Sequence, residues 1–290
     1  MEKLIETVTR KAMDIKFSGR SSDYITPSFG FGCVLKCSYC YMKRHKPEGL
    51  TIAKNYNDIL TAVNNHAYFY ADVDKPNQTH DKYITYDFAY LDDLPLHAKF
   101  YDWESIFTFF KNHDKAMGTF ATKYVNNKLL SFNPERKVRI RFSLMPQNYS
   151  SILEPNTSSI KDRITAVNKF IEAGYDVHLN FSPVVVTDTW LHDYKILFNQ
   201  VNKLINDDYK SNISCEVIFL THNKQKHEYN VKNNIAGEDM LWNPEVQEDK
   251  INQSGDLNIR YKVKNKTKWI NQFKELHSSM IDWCDIRYIF

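Results

Sequence analysis

The sequence predicts an α/β fold on a mostly parallel sheet, from three observations. Short runs rich in β-branched and aromatic residues recur along the chain. Segments with helical spacing of apolar residues lie between them. The chain has 290 residues, 42% of them hydrophobic, enough for a sizeable core. Alternation of strand and helix is the pattern of a parallel sheet, open or curled into a partial barrel, with its active site at the C-terminal ends of the strands.

In chain order, strands are expected at Tyr24–Thr26, Tyr83–Phe88 (YITYDF), Val138–Leu144 (VRIRFSL), Val177–Val186 (VHLNFSPVVV) and Val217–Thr221 (VIFLT). Helices are expected near Tyr56–Tyr70, Trp103–Asn112, Ile160–Ala173 and Asp193–Ile205. The third has clear ends: Ser158 or Ser159 caps its start, and Gly174 suits a left-handed turn at its close. Residues 223–257 are polar and read as an irregular excursion. The expected division is a barrel over residues 1–225 and an extension over 226–290 that packs on it.

Composition narrows the function classes. No apolar run approaches the ~20 residues of a membrane helix, and the N-terminal MEKLIETVTRKAMDIKF has no uninterrupted apolar core of the signal-peptide kind. A cytoplasmic protein without a membrane partner is expected. Five cysteines, three of them clustered, argue for reduced thiols rather than a disulfide framework. A net charge of +3 permits a nucleic-acid partner without demanding one.

The cluster is Cys33, Cys37 and Cys40 within GCVLKCSYCYMKRH, spaced C-x3-C-x2-C. Closely spaced thiolates bind soft metals. Zinc would need a fourth ligand, His45 or a remote residue. A 4Fe–4S cluster held by three cysteines would keep one iron open for a small molecule to chelate.

With an aromatic residue, Tyr41, after the third cysteine, this motif resembles the cluster loop of the radical S-adenosylmethionine (SAM) superfamily. The resemblance implies a 4Fe–4S cluster on the three cysteines and SAM on its open iron. An external electron donor of flavodoxin or ferredoxin type would supply the reductant.

Further stretches resemble the spore photoproduct lyase family: T-K-Y at 122–124, R-I-R-F-S at 139–143, E-P-x-T-S at 154–158, A-G-Y at 173–175, S-P at 182–183 and a later His222. The resemblance implies a partial (β/α)6 barrel with a C-terminal β-containing extension, and radical chemistry on a thymine photoproduct in DNA. By position, Lys123, Ser143 and Ser182 would contact SAM, with Tyr41 near its adenine. Lys123 suits a carboxylate as a point charge, and the two serines fall late in expected strands.

One departure bears on mechanism. The family quenches its product radical with a cysteine on the second strand, whereas ITYDFAYLDDL at 84–94 has none, and Asp87 falls near that place. A carboxyl O–H is too strong to donate a hydrogen atom readily. Tyr39 and Tyr41, flanking Cys40, are the candidate relays, because a phenolic O–H is weaker. Three readings stand: cleavage of a thymine lesion, isomerisation or modification of a hypermodified thymine, and a non-catalytic iron–sulfur protein that binds nucleic acid.

Residues 259–269, IRYKVKNKTKW, alternate cations with other residues. As a strand they would place Arg260, Lys262, Lys264, Lys266 and Lys268 on one face, able to track DNA phosphates. Tyr261 or Trp269 would stack on a base. The same pattern also suits an edge strand whose lysines block aggregation.

Overall fold

The computed structural model describes residues 5–18, 23–40, 42, 49–73, 80–97, 99–251 and 257–290. The strands are β1 (Ile5–Val8), β2 (Lys16–Phe17), β3 (Tyr24–Ile25), β4 (Gly30–Phe31), β5 (Leu50–Ala53), β6 (Ile84–Asp87), β7 (Ala116–Thr122), β8 (Val138–Ser143), β9 (Asp176–Val184), β10 (Ser214–Phe219), β11 (Thr221–His222), β12 (Gln247–Ile251), β13 (Leu257–Tyr261) and β14 (Asp285–Ile289). The helices are α1 (Tyr56–Phe69), α2 (Trp103–Asn112), α3 (Gln147–Leu153), α4 (Ile160–Glu172), α5 (Trp190–Leu204), α6 (Asp207–Lys210), α7 (Lys224–Lys232), α8 (Glu238–Leu241) and α9 (Val263–Met280).

The main sheet has the order β14-β10-β9-β8-β7-β6-β3-β2. From β3 to β10 each strand is followed in space by the next of the series, as repeated strand–crossover–strand units require. The pairings β3–β6, β6–β7, β7–β8, β9–β10 and β10–β14 are parallel, and the short edge strand β2 pairs antiparallel with β3. Two three-stranded sheets accompany it, β1-β5-β4 and β11-β13-β12.

The chain divides into two compact units. The first comprises residues 1–34, 45–142 and 166–178, the second 35–44, 143–165 and 179–290. Residues 226–290 thus group with 179–225. The reason is local: β14 pairs with β10, and α9 packs on α5, so the last segment completes the second unit.

The first unit is centred on aromatic rings. Phe88 stacks on Phe110 with centroids 5.4 Å apart, and both are buried. Gly118 on β7 lies beneath them; a Cβ there would stand 2.7 Å from Phe88 and 2.9 Å from Phe110. The core of the second unit joins Phe181, Tyr194, Phe198 and Phe273, with Phe181–Phe198 at 5.3 Å and Phe198–Phe273 at 5.4 Å.

Two expectations are corrected. Residues 223–257 contain α7, α8 and β12 rather than irregular chain. The basic segment is not one strand: β13 ends at Tyr261, Lys262 precedes the helix, and α9 begins at Val263. Trp269, Phe273 and His277 recur every fourth residue, and Phe273 and His277 are buried. Burial of that stripe sets the helical period and overrides the period-two run of cations. On α9, Lys264 and Lys268 share a face, whereas Lys266 lies roughly 200° around the axis from Lys264.

Candidate radical SAM site

In the second unit, the segment that carries Cys37 and Cys40 is a tight turn. The Cys40 N–H donates to the Cys37 carbonyl at 3.1 Å, and Lys36 before it adopts φ +58°. Four bonds tie this turn to its surroundings. Ser38 N–H donates to Leu153 O at 2.7 Å and Ser38 Oγ to Ala236 O at 2.8 Å. Asn230 Nδ2 donates to Ser38 O at 3.0 Å, and Lys226 Nζ to Tyr39 O at 2.7 Å. Asn230 also donates to Glu238, whose other oxygen receives His222 at 2.9 Å and His227 at 2.7 Å. The excursion after β10 therefore positions the cysteine turn.

The Tyr39 hydroxyl donates to Glu154. Burial pushes its pKa well above the usual tyrosine value, and the Glu154 carboxylate and the Cys37 thiol add to the rise. Glu154 accepts from Arg163 Nη1 at 2.7 Å, with both side chains essentially inaccessible. Arg163 spends its remaining donors on Ser158 O at 2.9 Å, Ser143 O at 2.9 Å and Thr157 Oγ1. A planar fork with five donors suits such a hub. One buried ion pair thus joins the cysteine turn, through Tyr39, to the end of β8, through Ser143. Ser143 is fully buried, and Ser182 on β9 is half-buried.

Neither Arg163 nor a role for Glu154 was read from the sequence. The available signal was a cation on the apolar stripe of α4, with Ile160, Ile164 and Val167 around it.

In the first unit, Asp87 ends β6 and Lys123 directly follows β7. Asp87 accepts from Arg141 Nη2 at 2.6 Å and from the Ala89 N–H at 3.0 Å. Burial raises its pKa, and the Arg141 guanidinium pulls the other way. Arg139 pairs with Asp176 at 2.6 Å, so both arginines of R-I-R-F-S are structural partners of carboxylates. The T-K-Y turn is held by Asp93, which accepts from Thr122 Oγ1 at 2.6 Å and from the Lys123 N–H at 2.8 Å. Burial lifts the Asp93 pKa to about 6. Asp93 was not singled out from sequence because its partner strand β7, AMGTFAT, has too little bulk to stand out.

Cys33, Cys37 and Cys40 are not in disulfides, with Cys37 buried and the other two half-buried. Three unbridged thiols at this spacing fit the three-point attachment of an iron–sulfur cluster. Tyr41 lies outside the described residues.

The structure separates the expected nucleic-acid residues. Arg260 pairs with Glu248 at 3.0 Å across the β12–β13 ladder. Tyr261 is buried and its hydroxyl accepts the Val186 N–H at 3.0 Å. That ring is part of the core and is not available to stack on a base. Lys262 donates to Glu245 O at 2.7 Å, and Lys264 is exposed on α9. Among the described residues no helix is long and apolar enough to cross a membrane.

Known proteins resemble this chain in sequence and in fold. The profile of the family described as spore photoproduct lyase matches residues 2–290. The spore photoproduct lyase of Clostridium acetobutylicum is 26% identical over 201 residues, covering 68% of this chain and 57% of that protein. The Bacillus subtilis protein of the same name is 28% identical over 214 residues, covering 72% and 59%. The chain thus spans under two thirds of the length of these curated relatives.

A solved spore photoproduct lyase mutant with dinucleoside spore photoproduct superposes with a TM-score of 0.85 at 19% identity, covering 99% of this chain and 82% of that one. A second mutant, with bound AdoMet and dinucleoside spore photoproduct, gives 0.86 at 18%, with the same coverage. These likenesses establish the fold as a curled, mostly parallel half-barrel of the α/β class. With its cysteine motif, its strand order and a family match over nearly every residue, the chain belongs to the spore photoproduct lyase family.

Proposed function

We propose that this protein is a radical SAM enzyme that acts on a thymine-type base in DNA, cleaving a lesion as its relatives' name describes. The observation that carries the reading is the C-x2-C turn, pinned by Tyr39 to the buried Glu154–Arg163 pair, within a chain whose family match runs from residue 2 to 290. Cys33, Cys37 and Cys40 would hold a 4Fe–4S cluster, which together with SAM and an external flavodoxin- or ferredoxin-type donor would supply a 5′-deoxyadenosyl radical.

The chain's own residues would do the rest. Lys123, set by the Asp93-bound turn, would receive the SAM carboxylate, with Ser143 and Ser182 as further SAM contacts. The Glu154–Arg163 pair keeps Ser143 and Tyr39 in fixed positions. Burial of the Tyr39 hydroxyl against Glu154 keeps it protonated, with an O–H bond available.

A second reading is favoured by one specific observation: the carboxylate of Asp87, near the place expected for the family's thiol, is bonded to Arg141 and to a backbone N–H. Such a group orients a base or another side chain rather than giving up a hydrogen atom. This favours isomerisation or modification of an already modified thymine over lesion cleavage.

The discriminating experiment is anaerobic incubation of reconstituted protein with SAM, dithionite and DNA that carries either a thymine photoproduct or a hypermodified thymine. Mass spectrometry of the digested nucleosides is the readout. Restored thymine supports lesion cleavage, and a rearranged modified base supports the second reading. Unchanged nucleosides from both substrates contradict both.

A further inference from the structure

A side-chain cluster in the second unit takes no part in the site above. Cys215 lies on β10, His277 in the last turn of α9, and Cys284 one residue before β14. Cys215 and Cys284 have no exposed surface and His277 is 3% exposed. Their sulfur and nitrogen atoms all lie within 4.8 Å of one another, and Cys215 Sγ stands 3.6 Å from His277 Nε2. Both cysteines are free.

The spacing has a chemical reading. Zinc binds thiolate sulfur at about 2.3 Å and imidazole nitrogen at about 2.0–2.1 Å, so a tetrahedral angle separates the two donor atoms by about 3.6 Å. Charge points the same way. Two thiolates and a neutral imidazole around a dication sum to zero, which a dry interior tolerates; a monocation would leave a net negative charge there. Phe273 lies parallel to the His277 ring at 6.2 Å and Phe198 meets it edge-on at 5.7 Å, while the charged groups beside Cys215, Glu216 and Arg287, pair with one another at 3.3 Å.

We infer that Cys215, His277 and Cys284 form a buried structural site for a thiophilic divalent cation of the zinc type, with the fourth position left to a water. The three ligands come from three separate pieces of chain. The ion would fasten α9 and the start of β14 to β10, which gives the C-terminal segment a cross-link in place of a disulfide. This site is independent of the iron-binding cysteines.

The test uses the full chain with Cys33→Ala, Cys37→Ala and Cys40→Ala together, so that its outcome does not depend on the iron–sulfur reading. The chain is refolded anaerobically and titrated with Co2+ alone, then with Zn2+. One equivalent of cobalt is expected to bind, with thiolate charge-transfer bands and the visible bands of a four-coordinate ion, and zinc should displace it. Cys284→Ser and His277→Ala on this background should each weaken binding by more than about tenfold while the far-ultraviolet dichroism stays native.

Where such a variant does not fold, the unsubstituted site supplies the readout: zinc should raise the melting temperature of the three-alanine chain, increasingly with zinc concentration. Absent cobalt bands, bands indifferent to Cys284→Ser, or a melting temperature indifferent to zinc would each overturn the inference. So would Cys215 and Cys284 becoming alkylatable only after a reductant, since that result means a disulfide.

Discussion

Glu154 and Arg163 form the ion pair on which the cysteine turn rests, and its removal has a calculable effect. Arg163→Met leaves the Glu154 carboxylate buried with only the Tyr39 and Ser150 hydroxyls to satisfy it. Glu154→Gln leaves the guanidinium buried, bonded to Ser143 O, Ser158 O and Thr157 Oγ1. With both side chains at or below 1% exposure, solvent screening is negligible. Breaking a buried pair from one side costs about 3–5 kcal/mol. At about 2–4 °C per kcal/mol for a chain of this order of size, each single variant should melt roughly 6–20 °C below wild type. The double variant Glu154→Gln/Arg163→Met removes both charges, and should fall short of the sum of the singles by about 2–3 kcal/mol. Thermal and urea unfolding of the four proteins measure this. Iron loading at limiting iron should fall with the single variants, because the side chain at 154 that accepts from Tyr39 is no longer held in place by the ion pair. Single costs below about 1 kcal/mol, combined additively, would refute the buried hub.

Other outcomes follow from particular residues. Cys37→Ala should lose most of its iron and visible absorption after anaerobic reconstitution, since a thiolate is the ligand; full loading would remove Cys37 from the site. Asp93 has a raised folded pKa of about 6 against an ordinary 3.8, so its ionisation opposes folding. Its contribution is most favourable below about pH 4 and is lost as pH rises to about 6. The stability of wild type relative to Asp93→Asn should therefore fall by on the order of 3 kcal/mol across that window; parallel pH profiles would contradict the assignment. For DNA binding, Lys264→Gln/Lys268→Gln should flatten the salt slope by up to about 1.8, at ~0.9 per phosphate contact. Adding Lys266→Gln should change little, because that side chain leaves α9 in another direction; an equal loss from Lys266→Gln would restore the single-face reading.

Much of the barrel was legible because its strands are buried runs. VRIRFSL and VIFLT stand out from their flanks, and the five strands expected from such runs are observed within a residue or two of their expected bounds, apart from the earlier start and end of β10. AMGTFAT did not stand out: a strand packed under Phe88 and Phe110 uses small residues, and small residues carry no periodic signal. The basic segment misled for the opposite reason. Exposed lysines are tolerated on helix and strand alike, so their alternation carried no weight against the buried Phe273 and His277. At the candidate site, spacing alone singled out the cysteines in the sequence. Arg163 and Asp93 were not: the partners of Arg163 lie within the preceding 20 residues but at no periodic spacing, and those of Asp93 lie 29 and 30 residues on, where only folding brings them near. Tyr39 was read as a relay, and the structure adds that its hydroxyl has a committed acceptor in Glu154.

The central claim is that the three clustered thiols support radical chemistry directed at DNA. The most direct measurement is 5′-deoxyadenosine release from SAM by reduced, reconstituted protein, with and without DNA that carries a thymine photoproduct or hypermodified thymine. Slow release is expected without DNA, with a clear stimulation by one of the two substrates and loss of both in Cys37→Ala. Absence of 5′-deoxyadenosine from fully iron-loaded wild-type protein would contradict the claim.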